Sequence, residues 1–122
     1  MAENRRLVGD ANNVRDARAL VRSIMAGQPA ELRDVAVLLT DELVTNAVVH
    51  GGGHFVLNAE LGTDALRVVV ADPSPNTPTV LAPSVEQEHG RGMAIVASLA
   101  STWGTDAERD GKQVWFTLDV CP

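Results

Sequence analysis

After a short N-terminal segment, apolar residues recur at Val14, Ala17, Leu20, Val21 and Ile24, the spacing of one face of a helix. Asp10, Asn12 and Asn13 stand before this run as candidate N-caps, and Gly27 and Pro29 stop it. A second and longer helix is predicted from about Glu31 to His50, closed by Gly51, a residue that readily takes the left-handed C-cap conformation. "HFVLNAEL" and "ALRVVVAD" read as two strands joined through Gly62, Thr63 and Asp64, the second apolar enough to be central in a sheet. "GRGMAIVASLAST" opens on two glycines and continues as a helix, and "WGTDAERDGKQVWFTLDV" forms a second hairpin turning at Asp110-Gly111. Between these elements the stretch from Pro73 to His89 holds four prolines and no periodicity, and a loop of that length is usually functional, often a lid. The order helix, helix, hairpin, loop, helix, hairpin predicts an α+β fold. It is a two-layer α/β sandwich with a mostly antiparallel sheet covered by helices on one face.

Composition narrows this picture. A chain of 122 residues holds one hydrophobic core, so residues 1–122 form a single domain. The net charge of -6 argues against direct binding of nucleic acid, which needs clustered cations to displace counterions, and favours a protein partner with basic groups. Arg5, Arg6, Arg15, Arg18, Arg22 and Arg33 crowd the first third and read as an ordinary solvated face. Cys121 has no second cysteine for an internal disulfide, the start "MAENRRLVGD" lacks the apolar core of a signal peptide, and no apolar run reaches the roughly 18 residues of a membrane span. A cytoplasmic protein without membrane contact is expected.

On the second helix, Leu32, Val35, Leu38, Leu39 and Leu43 form an apolar stripe, and Glu42, Asn46 and His50 fall within it, while Arg33, Val37, Asp41 and Val48 take the opposite side. Burying an unpartnered carboxylate or amide is unfavourable by a few kcal/mol, so this polar line either hydrogen-bonds loop backbone or lines a cavity. Glu42 and Asn46 at i and i+4 project one turn apart. One of them can accept a proton or orient water, and the other can offer a carbonyl oxygen to Mg²⁺, a combination suited to phosphoryl transfer or ATP hydrolysis. In "HGRGM", Gly90 and Gly92 let backbone approach a ligand, helix N-terminal N–H groups favour phosphate, and Arg91 can pair with one; a plain turn is the alternative. Asp72 ends an apolar strand, where it can accept a hydrogen bond from the exocyclic amine of adenine or simply initiate a turn before Pro73.

In order along the chain these pieces resemble the GHKL (Bergerat-fold) ATP-binding domains, and within them the small bacterial anti-sigma-factor serine kinase-like regulators. "DELVTNAVVHG" is similar to the N-box, "VVVADPSP" to the first glycine box, "HGRGMAIV" to the second, and "DGKQVWFTL" to the closing strand. The resemblance implies ATP and Mg²⁺ as cofactors. It implies Glu42 as general base, Asn46 as Mg²⁺ ligand, Asp72 as adenine reader, and Gly90, Arg91, Gly92 and Met93 at the phosphates, with His50 in a supporting role. It further implies a lid from Pro73 to His89, a sigma factor and an anti-anti-sigma (STAS-type) protein as partners, serine/threonine kinase activity, and allows a homodimer. The chain departs from the family pattern at Ser74 and Asn76, which stand at glycine positions of the first box, and at Gln113, which stands for the usual threonine near adenine. Both departures imply reduced nucleotide affinity, and a non-catalytic partner-switching protein of the same fold is the main alternative. An esterase oxyanion hole at "HGGG" lacks its G-x-S-x-G nucleophile, and a zinc site from His50, His54 and His89 lacks the H-E-x-x-H spacing.

Overall fold

The structure, a computed structural model, describes the backbone of residues 3–74 and 88–120 and the side chains of 3–74 and 93–120. Its elements follow in the order β1 (Glu3–Asp10), a 3-10 turn (Ala11–Asn13), α1 (Val14–Ile24), α2 (Ala30–His50), β2 (His54–Leu61), β3 (Ala65–Asp72), α3 (Glu88–Leu99), β4 (Thr102–Glu108) and β5 (Gly111–Asp119). The strands form one five-stranded sheet in the order β1-β2-β3-β5-β4. Every neighbouring pair is antiparallel. The expected two-layer sandwich is therefore the observed one, and both hairpins form. The β4–β5 connection is Arg109-Asp110, with Gly111 already opening β5, one residue earlier than the turn signal suggested.

Period-2 alternation aims one face of the sheet at the helices. Phe55, Leu57 and Ala59 on β2, Leu66, Val68 and Val70 on β3, and Val114, Phe116 and Leu118 on β5 are buried there. Against them pack Ala17, Val21 and Ile24 of α1, Val96 of α3 and a broad face of α2. Among the described residues no helix is long and apolar enough to cross a membrane.

Two elements differ from the sequence expectation. The N-terminal segment is not a mere lead-in but the edge strand β1, paired with β2 from Glu3↔Leu61 to Asp10↔His54. None of its residues "ENRRLVGD" is fully buried, and only Leu7 packs on the core, so hydrophobic alternation had little to signal. Arg5 and Glu3 pair on this edge at 2.8 Å, and charge of that kind discourages further strand addition. The Asp10 side chain accepts from the Asn12 N–H, and the Asn13 side chain accepts from the Asp10 N–H, a capping box that turns the strand into α1.

The second difference concerns which side of α2 is buried. Ala36, Val37, Leu39, Thr40, Leu43, Val44 and Ala47 face inward, whereas Leu38, assigned above to the core stripe, is exposed, and Val37 and Val48, assigned to the opposite side, pack on the core. The cause is that α2 lies between two other helices. One flank meets α1, where Arg18 Nη1 donates to Asp41 Oδ1 at 2.8 Å, and the other meets α3, where Asn46 contacts Met93. Inside the helix the buried Thr40 hydroxyl donates to the Ala36 carbonyl at 2.8 Å, so no polar atom is stranded there.

On the open face of the sheet, the Trp115 indole lies against the Gly104 backbone and beneath the Arg67 guanidinium, 5.1 Å from the ring centroid. Among the described residues its buried Nε1 has no hydrogen-bond partner. A Cβ at position 104 would stand 2.7 Å from the ring. Gly104→Ala is therefore expected to destabilise the domain by about 1–3 kcal/mol through overpacking, read as a lowered urea midpoint. An unchanged midpoint would mean that the indole moves aside freely.

Candidate functional site

The long helix α2 carries the first half of the site on the flank that faces α3. Glu42 and Asn46 are both partly buried at the margin of the core face rather than at its centre, and His50, in the last turn, is exposed. Glu42 and Asn46 stand one turn apart, about 6 Å along the axis. The Asn46 amide nitrogen donates to Met93 Sδ at 3.8 Å, a weak contact between α2 and α3. Met93 itself is buried. Among the described residues the Glu42 carboxylate takes no hydrogen bond or ion pair. Partial burial raises its pKa from the ordinary 4.5, and the neighbouring Asp41 charge adds to the rise.

Gly90, Arg91 and Gly92 lie within the first five residues of α3, which begins at Glu88, two residues before the first glycine. The backbone N–H groups of Gly90 and Arg91 thus fall among the four that a helix N-terminus leaves without intrahelical partners. The Arg91 side chain lies outside the described residues. So do Asn76 and the lid expected over most of Pro73 to His89.

Asp72 builds the second half. It is the last residue of β3 and its cross-strand partner is Lys112 on β5. Alternation turns both side chains to the helix-covered face, in line with Val70 and Val114. Lys112 Nζ lies 3.0 Å from Oδ1 and 3.0 Å from Oδ2 of Asp72, with the two side chains only 4% and 1% exposed. The Ser74 N–H donates to Oδ1 at 2.9 Å, the geometry of an Asx turn that starts the following loop. Gln113, expected to stand near the adenine, pairs with Ala71 and points with it to the open face of the sheet. Lys112 holds the inward position instead. Sequence reasoning missed it because a shift of one residue along a strand exchanges the two faces.

The glycines after α2 also differ from expectation. Gly51 has φ -103 and is not left-handed; Gly52 and Gly53, at φ 91 and φ 90, supply the reversal into β2. Gly51 is required for space. A Cβ there would stand 2.5 Å from the Ala47 carbonyl oxygen, 2.5 Å from Asp72 Cγ and 2.7 Å from Asp72 Oδ2. The end of α2 is thereby seated directly on the Asp72 carboxylate. Gly111 packs against the backbone of the same residue, where a Cβ would meet the Asp72 carbonyl oxygen and approach Pro73 Cα to 2.8 Å. Beside this cluster, Val8, His54, Val56, Ala71 and Pro73, together with Asp72 itself, line an apolar depression of about 340 Å³.

A helix layer covers one face of an antiparallel sheet, and a carboxylate and an amide stand one turn apart on the central helix, an α+β domain. A family model described as the histidine kinase-like ATPase domain matches residues 7–118, and the chain belongs to that family, the GHKL group implied by its motifs. Membership implies a nucleotide ligand. Among solved structures the chain is similar to the crystal structure of the RsbU and RsbW domains of Rv1364c from Mycobacterium tuberculosis, with a TM-score of 0.73 and 22% identity. The match covers 97% of this chain and 32% of that one, and at this identity it speaks to the fold. No curated protein matches the sequence.

The residues present fit the two ends of a magnesium nucleotide unequally. The phosphate and metal end fits, since Asn46 retains a carbonyl oxygen and Glu42 a carboxylate without partners among the described residues. The base end does not fit adenine read by a free Asp72, because that carboxylate already carries an internal cation.

Gly51→Ala is expected to lower stability by about 1–3 kcal/mol through its clash with Asp72, measured by chemical denaturation; a neutral result would place the carboxylate elsewhere. For Glu42 the native state holds its proton to higher pH than the unfolded chain, so the group's contribution to stability falls as pH rises from 4.5 through the folded pKa. Glu42→Gln should therefore gain stability relative to the parent as pH rises across that window. Parallel pH–stability curves for the two proteins would contradict the raised pKa.

Proposed function

We propose that this protein is an anti-sigma-factor-like regulator that acts as an ATP-dependent serine/threonine protein kinase. Its substrate is an anti-anti-sigma partner of the STAS type, and in its other state it sequesters a sigma factor, with a homodimer as part of the same proposal. The observation that carries this reading is the pairing of Glu42 and Asn46 one turn apart on α2, both partly buried, with Asn46 in contact with Met93 of α3. The fold shared with a solved RsbW domain supports it.

Under this reading Asn46 holds Mg²⁺ through its carbonyl oxygen, while its nitrogen keeps the Met93 contact that fixes the amide orientation. ATP, when bound, supplies the transferable phosphoryl group. Glu42 accepts the proton of the attacking serine or threonine hydroxyl, and the pKa raised by burial makes it a better acceptor than an exposed glutamate. The backbone N–H groups that open α3, at Gly90 and Arg91, suit phosphate oxygens.

A second reading, a non-catalytic partner-switching protein with weak or no nucleotide binding, is favoured by one observation, the ion pair at Asp72. Incubation with radiolabelled Mg-ATP and a candidate STAS-type protein separates the two. Phosphoserine on the partner is expected, with Glu42→Gln still binding nucleotide but losing transfer by about 10²–10⁴-fold. Undiminished labelling by the variant removes Glu42 from the role of base, and absence of labelling by the parent at saturating ATP favours the scaffold.

A further inference from the structure

Asp72 is the carboxylate that a base amine has to reach, and the fold has given it another donor. The β3–β5 register sets Lys112 directly opposite it, and alternation keeps both side chains in the layer beneath the helices. The ammonium lies within hydrogen-bond distance of both carboxylate oxygens, while the Ser74 N–H holds Oδ1 from the loop side. Oδ1 thus accepts two hydrogen bonds from within the chain, and the ammonium also stands 3.0 Å from Oδ2. Gly51 and Gly111 close on Asp72 from two further directions, so neither the carboxylate nor its backbone has room to swing away.

An exocyclic amine of adenine is a neutral donor. The Lys112 contact is charge-assisted, roughly twice as strong as a neutral hydrogen bond, and the pair lies out of water where screening is weak. For adenine to win, the ammonium has to leave its partner, and a buried charge separated from its counterion is strongly destabilised. The exchange therefore favours the internal contact.

We propose that Lys112 is a resident substitute for the amine of the base: it closes the adenine end of the site, so the domain takes a magnesium triphosphate by its phosphate end and does not discriminate among bases. This rests on the nucleotide reading of the Glu42–Asn46 flank, and it makes Lys112 a specificity-determining residue.

Titration calorimetry with Mg-ATP, Mg-GTP and Mg-tripolyphosphate tests it. The parent protein should take Mg-ATP no better than the other two, within about threefold. Lys112→Met keeps much of the stem and removes the cation, and Lys112→Thr opens the space; either, once circular dichroism shows it folded, should gain about tenfold or more for Mg-ATP with no matching gain for Mg-GTP. If neither variant folds, the parent's ratio of Mg-ATP to Mg-tripolyphosphate affinity decides alone. A parent that prefers Mg-ATP by about tenfold or more, or a folded variant without the adenine-selective gain, overturns the inference. An ATP-selective parent that phosphorylates its partner would overturn this inference and leave the kinase reading standing. A Lys112 variant that gains ATP and still transfers nothing would do the reverse.

Discussion

The helix-covered face of β3 and β5 is the surface on which the rest of the molecule is assembled. Leu66, Val68 and Val70 face the same way as Val114, Phe116 and Leu118, because antiparallel register pairs them two by two and the pleat alternates. Burying each of these side chains contributes on the order of 1.5–3 kcal/mol, so any slip in register that moved them to the open face would lose the core at once. α2 can lie where it does only over this surface. The same register carries the row to its end, where it delivers not another apolar pair but Asp72 and Lys112.

That junction ties the fold to the chemistry. The end of α2, the end of β3 and the start of β5 converge at Asp72, with Gly51 against its carboxylate and Gly111 against its backbone. Glu42 and Asn46 lie about 13 Å and 7 Å back along the same helix from Gly51. A displacement at the α2 terminus is therefore felt at both ends of the site. Charge is distributed along this line with a purpose that burial makes legible: a partly buried carboxylate left without a cation at Glu42, and a fully buried one supplied with a cation at Asp72.

The opposite face of the sheet follows a looser rule. Val8, Val56 and Ala71 are only partly covered or exposed there, and Trp115 is held between a glycine backbone and an arginine rather than inside a core. A single layer of helices leaves one side of any sheet to water, and this side accordingly mixes apolar, charged and aromatic residues.

How much of this is readable from the chain depends on whether the signal is local. The helix from Ala30 to His50, the hairpin around Gly62, the strand-to-loop transition at Asp72 and the order of the motifs are all written in neighbouring residues, and with them the family and the positions of Glu42 and Asn46. β1 was not readable, since an exposed edge strand gains its order from backbone bonds to β2 and has no hydrophobic period to display. The buried side of α2 was not readable either: apolar residues occupy most of its circumference, and only its placement between α1 and α3 decides that Val37 turns inward and Leu38 outward. Lys112 required the tertiary structure most of all. A lysine beside a glycine carries no local mark of burial, and its ion pair with Asp72 exists because antiparallel register brings together two residues forty positions apart, a relation set by the sheet rather than by the residues alone.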